Sequence, residues 1–429
     1  MSLSNNYPAE LPLLNLDFAN AGVLDPRITF TRASTATYFD YAGVLRTAQN
    51  NIARFDYNPS TLAAQGLLIE EQRTNSMLRS EEFSDASWTK GGATVTANST
   101  TAPSGTTTAD TLVEDTSTGQ HRVYRTTSGT TNTNPYTISF FAKASTRTRV
   151  YVGLAEGTSF VRQGNAVFDL SAGTVVSATA GSGGATGGSA TIQNVGNGWY
   201  RCAYTLTLGG TDTSIFNDIN LVSTGTTISY TGNGTSGLFI WGAQLEAGAF
   251  ATSYIPTTTT ALTRNADVAS MTGTNFSSWF NAVEGTLLVR CSLPANPPVS
   301  PAAGSFPRIS SINDNLDDNN IEMFLDGSSP FYVRSRVRSG AVNQAIGNGT
   351  TGLSLNTQFS SAIAYKINDF AASDRGLLSW TDTSGTIPTV NKLGIGNQKS
   401  DLYLNGYIQR ISYYPTRLAN AQLQALTGT

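Results

Sequence analysis

Apolar and polar positions alternate in short runs along most of the chain, and Gly, Asn, Ser, Thr and Pro separate the runs. LNLDF (14–18), YTISFFAKA (136–144), IEMFLD (321–326) and FYVRSRVR (331–338) have the two-residue period of a half-buried strand. In YTISFFAKA, Ile138, Phe140 and Ala142 share one face; in EGTLLVRCSLP (284–294), Leu287, Val289 and Cys291 do. HRVYRTTS, RVYVGLAE, NAVFDLSAGTVV, GWYRCAYTLTL, NDINLVS and LFIWGAQLE follow one another at roughly ten- to twenty-residue spacing, the rhythm of an antiparallel β-sandwich or jelly roll. The best helical pattern is LANAQLQALT (418–427), where Leu418, Ala419, Leu423 and Leu426 fall near one face and predict a short terminal helix. ATAGSGGATGGSA (178–190) has almost nothing to bury and predicts an exposed, flexible loop.

The stretch Leu238–Val268 reads as a junction: an apolar strand, the Pro/Thr-rich connector SYIPTTTTALT, then the restart TRNADV. It divides the chain into an irregular, β-rich attachment segment (1–78), a first sandwich (79–258) and a second sandwich with the terminal helix (259–429). Tyr254 and Ile255, in mid-connector, are expected to pack against one of the bodies. Segment 1–78 is too broken for a large core of its own and is expected to lean on the next domain or on a partner.

Composition narrows the class. Charged residues are 13% and aromatics 10%, with 41 glycines, which excludes a disordered chain and suits an all-β extracellular or virion protein. The net charge is −3 and no Lys/Arg block is long enough to follow a phosphate backbone, so no nucleic-acid partner is expected. No run reaches the ~18 apolar residues of a membrane helix. MSLSNNYPAELPLL lacks the basic and apolar regions of a signal peptide, so the chain is expected to reach the outside by another route, such as lysis inside a particle. Cys202 and Cys291 read as buried thiols.

Several strings, in their order, resemble a known group. DPRITFTRASTATYFD, GLLIEEQRTN and FSDASW are similar to the N-terminal signature of tailed-phage head-spike and tail-fibre proteins. GWYRC and LFIWGAQLEAG–ATSYIPT resemble jelly-roll carbohydrate-binding modules. EGTLLV, AYKINDFAASD, KLGIGN and LNGYIQRISYYPTRLANAQLQAL resemble a concanavalin A-like (laminin G-like) lectin sandwich. The resemblance implies a homotrimer on the virion surface, held by other virion structural proteins, that binds host-surface polysaccharide without catalysis.

Candidate chemistry is sparse. His121, the only histidine, has no G-x-S-x-G serine to serve, and reads as a loop or strand-end residue. Glycoside hydrolysis needs two carboxylates across a cleft, and Glu114, Asp115, Glu156, Asp169, Asp218, Glu284, Glu322 and Asp326 contain no pair marked by spacing. No cofactor is called for except Ca²⁺, a hard ion taking about six to eight oxygens, which NDNLDDNN (313–320) would hold through Asp314, Asp317 and Asp318. Sugar rings are recognised by aromatic faces with polar groups beside them. Trp88 and Trp380, near turns, and Tyr124 beside Arg122 are the candidate ligand contacts, with Trp279 a further turn-proximal ring; Trp199 and Trp241, in strand strings, read as core.

Overall fold

The structure is a computed structural model and describes residues 7–129, 131, 133–294, 306–326, 331–398 and 402–428. The fold is all-β, with antiparallel sheets packed in pairs as sandwiches. The middle sandwich has two six-stranded sheets. One runs in the order Thr186–Asn194, Trp199–Thr207, Pro135–Lys143, Gly237–Ala247, Ala109–Glu114, Ala93–Thr100. The other runs Thr174–Ala178, Gln163–Asp169, Arg149–Glu156, Ser214–Leu221, Arg122–Ser128, Thr89–Gly91. Alternation does what it predicts: Ile138, Phe140 and Ala142 enter the core between the sheets with Val150, Val152, Ile215 and Ile219, while Phe141 faces the other way.

The second sandwich pairs a sheet containing Glu284–Ser292, Phe359–Lys366, Asp369–Asp374, Leu377–Asp382 and Gly406–Tyr414 with a seven-stranded sheet centred on Arg308–Asn313 and Asn320–Asp326. Leu287, Val289 and Cys291 lie in its core. The terminal helix is Asn420–Thr427; Leu418, Leu423 and Leu426 cover Leu288, Ala362, Ala364 and Ala371 on the outer face of the first of these sheets.

The N-terminal residues do not form a segment apart. Leu14–Asp17 and Ala64–Ile69 both pair with Gly406–Tyr414, and Thr29–Thr31 pairs with Val268–Thr272. Leu14, Leu16, Phe18, Phe30, Leu67 and Ile69 lie in the second sandwich's core. Burying each contributes about 1.5–3 kcal/mol before the entropy of ordering the segment is set against it. The hairpin Ala36–Phe39/Leu45–Ala48 meanwhile covers the outer face of the middle sandwich, where Leu45 and Phe39 pack with Phe141, Trp199, Trp241 and Tyr254. Sequence pattern missed this because each of these strands is three to six residues long and finds its partner hundreds of positions away.

Tyr254 and Ile255 are buried, as expected of an ordered connector. Around them is a buried ionic cluster. Arg32 Nη1 donates to Asp267 Oδ1 (3.0 Å), Arg54 Nη2 to Asp267 Oδ2 (2.5 Å), and Arg54 Nη1 lies 2.8 Å from Glu70 Oε2. Arg264 closes the cluster at 3.5 Å from the same Glu70 oxygen, and Ser253 donates to Glu70 through both its N–H and its hydroxyl. Arg32, Arg54, Arg264 and Asp267 have fully buried side chains.

The glycine-rich run departs from its reading as a flexible loop. Thr186–Asn194 is a strand paired with Trp199–Thr207, and Ser182 bridges to Gln163. Gly188 answers close approach: a Cβ there would stand 1.9 Å from the Thr179 carbonyl oxygen and 2.7 Å from the Tyr204 hydroxyl. Gly188→Ala is therefore expected to cost about 1–3 kcal/mol in denaturant unfolding. A change below half a kcal/mol would mean that this strand is not seated as described.

Candidate functional site

Most sequence candidates turn out to be structural. Trp88 is 1% exposed, packs against Phe83 with ring centres 4.8 Å apart, and donates from Nε1 to the Arg79 carbonyl. It is core, not a ligand contact, because the turn carrying it folds inward over the sandwich. Trp279 is likewise buried, with Nε1 donating to the Asn275 carbonyl. Trp380 is half-buried on the edge strand Leu377–Asp382 and packs against Gly347 of the opposite sheet, closing the sandwich's edge. Trp199 and Trp241 are core.

The Asx-rich loop does not assemble a calcium site. Asp314 accepts hydrogen bonds from the Leu316 N–H and the Asn319 side chain. Asp317 turns to cationic and amide donors, Arg338 at 2.9 Å, Arg336 at 3.5 Å and Gln398 at 3.0 Å. Asp318 is exposed, and its carbonyl accepts the Ala341 N–H. Among the described residues no group of three or more His, Cys, Asp or Glu side chains converges to hold a metal ion. Arginines hold Asp317: Arg338 pairs with it directly, and Arg336 lies between it and the fully buried Glu322, which Arg308 also holds.

Seven of the eight carboxylates weighed for hydrolysis pair with an arginine or a lysine, and the eighth, Asp115, lies beside His121. Glu114 pairs with Arg147 (2.7 Å), Glu156 with Arg162 (3.0 Å), Asp169 with Arg149 (2.9 Å) and Asp218 with Arg122 (2.9 Å). Glu322 pairs with Arg308 (2.8 Å), Asp326 with Arg334 (2.8 Å), Glu284 with Lys366 (3.6 Å), and Asp115 with His121 (3.6 Å). His121 itself is buried, with Nδ1 at 2.5 Å from the Gly92 carbonyl and Nε2 at 3.1 Å from the Tyr230 carbonyl. Both ring nitrogens are occupied by backbone, so neither is presented to a serine.

Arg122 and Tyr124 differ from the rest. They alternate with the inward Val123 and so lie on the outer face of the middle sandwich's second sheet. Register places three rows side by side across three strands: Arg122, Asn220 and Tyr151; Tyr124, Asp218 and Gly153; Thr126, Phe216 and Ala155. The Tyr124 and Phe216 rings are 5.5 Å apart, and Phe160, 44% exposed, meets Phe216 edge-on at 5.0 Å. The Arg122 guanidinium lies 4.6 Å from the Tyr124 ring centre and donates to Asp218 Oδ2, which also accepts from Asn220 Nδ2 at 2.8 Å.

Gly153 keeps this face open. A Cβ there would stand 2.3 Å from Asp218 Oδ1 and 3.0 Å from the Tyr151 hydroxyl. Burial pushes the Asp218 carboxyl above the usual carboxylate range, against the hydrogen bonds from Asn220 and Arg122. Burial, helped by the Asp218 charge, also raises the Tyr151 phenol, keeping it a neutral donor. Two polar groups remain unused. Asn220 Oδ1 is buried without a partner, and the Tyr151 hydroxyl has none among the described residues. An unmet buried acceptor is costly, and native proteins leave few of them.

Sequence reasoning found Arg122 and Tyr124 and counted Asp218 only as one carboxylate among eight. It missed Tyr151, Phe216 and Asn220. Their signal is the period-two pattern of IFNDINL (215–221), where Phe216, Asp218 and Asn220 are the positions between core residues Ile215, Ile219 and Leu221.

No protein-family model matches the chain, and no curated protein matches it. Among solved structures it is similar to a heptameric SAP-like pentraxin from Limulus polyphemus, at 12% identity over 34% of this chain and 70% of that one, TM-score 0.26. A Trypanosoma rangeli sialidase is 12% identical over 74% of this chain and 60% of its own, TM-score 0.29. Domains LG4–5 of the mouse laminin α1 chain are 8% identical over 70% of this chain and 85% of theirs, TM-score 0.23. Binding and hydrolysis by those proteins belong to them, and the site above rests on its own residues.

Proposed function

We propose that this chain is a non-enzymatic spike or fibre protein of a phage virion, a homotrimer attached through other virion proteins, and that its middle sandwich binds a host-surface glycan on the outer face around Tyr124. The observation that carries the glycan reading is a cluster of rings on an outer sheet face, Tyr124, Phe216 and the 44% exposed Phe160, with the Arg122 guanidinium and the half-buried Tyr151 hydroxyl beside them. Aromatic faces suit the C–H side of a sugar ring, and a hydroxyl with no protein partner suits its O–H groups. The virion reading is supported by the order of the N-terminal, connector and closing strings. The non-enzymatic reading is supported by the arginine or lysine held against seven of the eight carboxylates considered. Three-fold assembly would give avidity to a shallow, weak site.

The test is binding of fluorescently labelled intact protein to an array of bacterial surface polysaccharides. Tyr124→Ala is expected to weaken binding to the recognised polymer roughly tenfold or more. Absence of binding by the intact oligomer would leave a virion spacer instead. Release of new reducing ends from a bound polymer would overturn the non-enzymatic reading.

A further inference from the structure

Beyond the Tyr124 face, a groove of about 280 Å³ opens at the far end of the same strand. It is lined by Gln72, Arg73, Thr74, Ser76, Ser128 and Tyr136. Ser128 is the fourth residue along from Tyr124, and Arg122, Tyr124, Thr126 and Ser128 are the alternate positions of one strand face. At strand rise the distance from Tyr124 to Ser128 is about 13 Å. One ring does not cover that separation, whereas a short chain of rings does. Thr126 and Ser128 are both exposed, so no side chain of the row between the face and the groove is buried beneath another element.

The groove's chemistry is that of a hydroxyl-binding surface. Its lining holds an amide, three aliphatic hydroxyls, a phenol and one guanidinium. That guanidinium is already committed: Arg73 pairs with Glu71, donates to the Ala247 carbonyl and lies 5.2 Å from the Phe250 ring centre. An anionic ligand would therefore find no free cation here, while a neutral polyol meets the Ser128 hydroxyl and the Tyr136 phenol, with Thr74 and Ser76 beside them bonded to Thr263 and the Leu245 carbonyl. The volume equals roughly nine liquid waters, which suits one sugar ring.

Resting on the glycan reading of the Tyr124 face, we propose that the groove is a second subsite of the same site, and that the ligand is an internal stretch of a neutral linear polysaccharide lying along Tyr124, Thr126 and Ser128. The recognised unit is thus a chain segment several rings long, not a terminal sugar.

The test takes full-length protein and size-fractionated neutral oligosaccharides, two to eight rings long, cut from the polysaccharide that the array identifies. Affinity is expected to rise on the order of ten- to a hundredfold from the disaccharide to the longer chains, as the second subsite is engaged from the first. Ser128→Trp, which fills the groove, is expected to abolish that rise while leaving disaccharide affinity unchanged. Tyr124→Ala is expected to weaken every length alike. Equal melting temperatures for both variants and the parent protein exclude a folding effect, and Thr74→Trp is the second groove-filling variant if Ser128→Trp melts early. A flat length dependence, or a groove variant that weakens all lengths equally, overturns the second subsite while the Tyr124 face stands. A preference for an acidic polymer overturns the neutral class. If no polysaccharide binds at all, the glycan reading itself falls and the subsite falls with it.

Discussion

Asp267→Ala is expected to cost about 3–5 kcal/mol of stability, the range for removing one partner of a buried ion pair. Asp267 is fully buried and accepts from Arg32, Arg54 and the Glu70 N–H at 2.5–3.0 Å. Its removal leaves the buried Arg32 with no carboxylate, only the Ser34 and Gln49 carbonyls, and leaves Arg54 to share Glu70 with Arg264. Three arginines against one carboxylate have no compensated arrangement without water. The Asp267→Asn variant keeps the shape and one acceptor but not the charge, so it should lie between parent and Ala. Guanidinium unfolding followed by tryptophan fluorescence reads the effect, since Trp241 lies 4.9 Å from Tyr254 beside the cluster. A loss below 1 kcal/mol would show that the arginines rehydrate and that the joint is held by its apolar contacts alone.

That cluster explains what was legible in the sequence. FTRAS, GLLIEEQRTN, the SYIPT connector and TRNADV were conspicuous as strings, and they supply Arg32, Glu70, Ser253, Arg264 and Asp267. Arg32, Arg54 and Glu70 lie about two hundred positions from Arg264 and Asp267, so no local pattern announces that they meet. Alternation exposed Ile138, Leu287 and the rest of both cores, because a strand's period survives whatever it pairs with. In 178–190 the expected exposure holds, but Thr186 onward pairs as a strand, and at Gly188 glycine marks close backbone approach. At the candidate site, the row Arg122–Tyr124 was visible as an aromatic beside cations. Tyr151, Phe216 and Asn220 join it through cross-strand register, which single-strand patterns do not encode. The Asx-rich loop failed for a related reason: its composition suits calcium, but Arg336 and Arg338, from a strand some twenty residues on, claim Asp317.

Acid should separate two carboxylates of the joint by opposite signs. Burial works to raise Glu70, but Arg264, Arg54 and two hydrogen bonds from Ser253 outweigh it and bring its pKa from 4.5 to about 2. A folded-state value below the unfolded one stabilises the protein fully above the unfolded value, and that contribution is lost as pH falls from about 4.5 through about 2. It amounts to about 3 kcal/mol. Asp56, 5% exposed, accepts from the Phe39 N–H and the Tyr407 hydroxyl, yet burial dominates and lifts it from 3.8 to about 6. Here the folded state binds the proton more tightly. The ionised group therefore opposes folding above pH 6, by about 3 kcal/mol, and the penalty is relieved as pH falls from about 6 to about 4. Stability carried by this pair is greatest between pH 4 and 6, where Asp56 is protonated and Glu70 is not. Against the parent protein, Glu70→Gln should lose about 3 kcal/mol at pH 6, with the difference closing toward pH 2. Asp56→Asn should gain stability at pH 8, with its difference closing below pH 4. Denaturant midpoints at five pH values give both curves, and a difference that stays constant with pH in either variant would mean that its carboxyl does not titrate as its surroundings dictate.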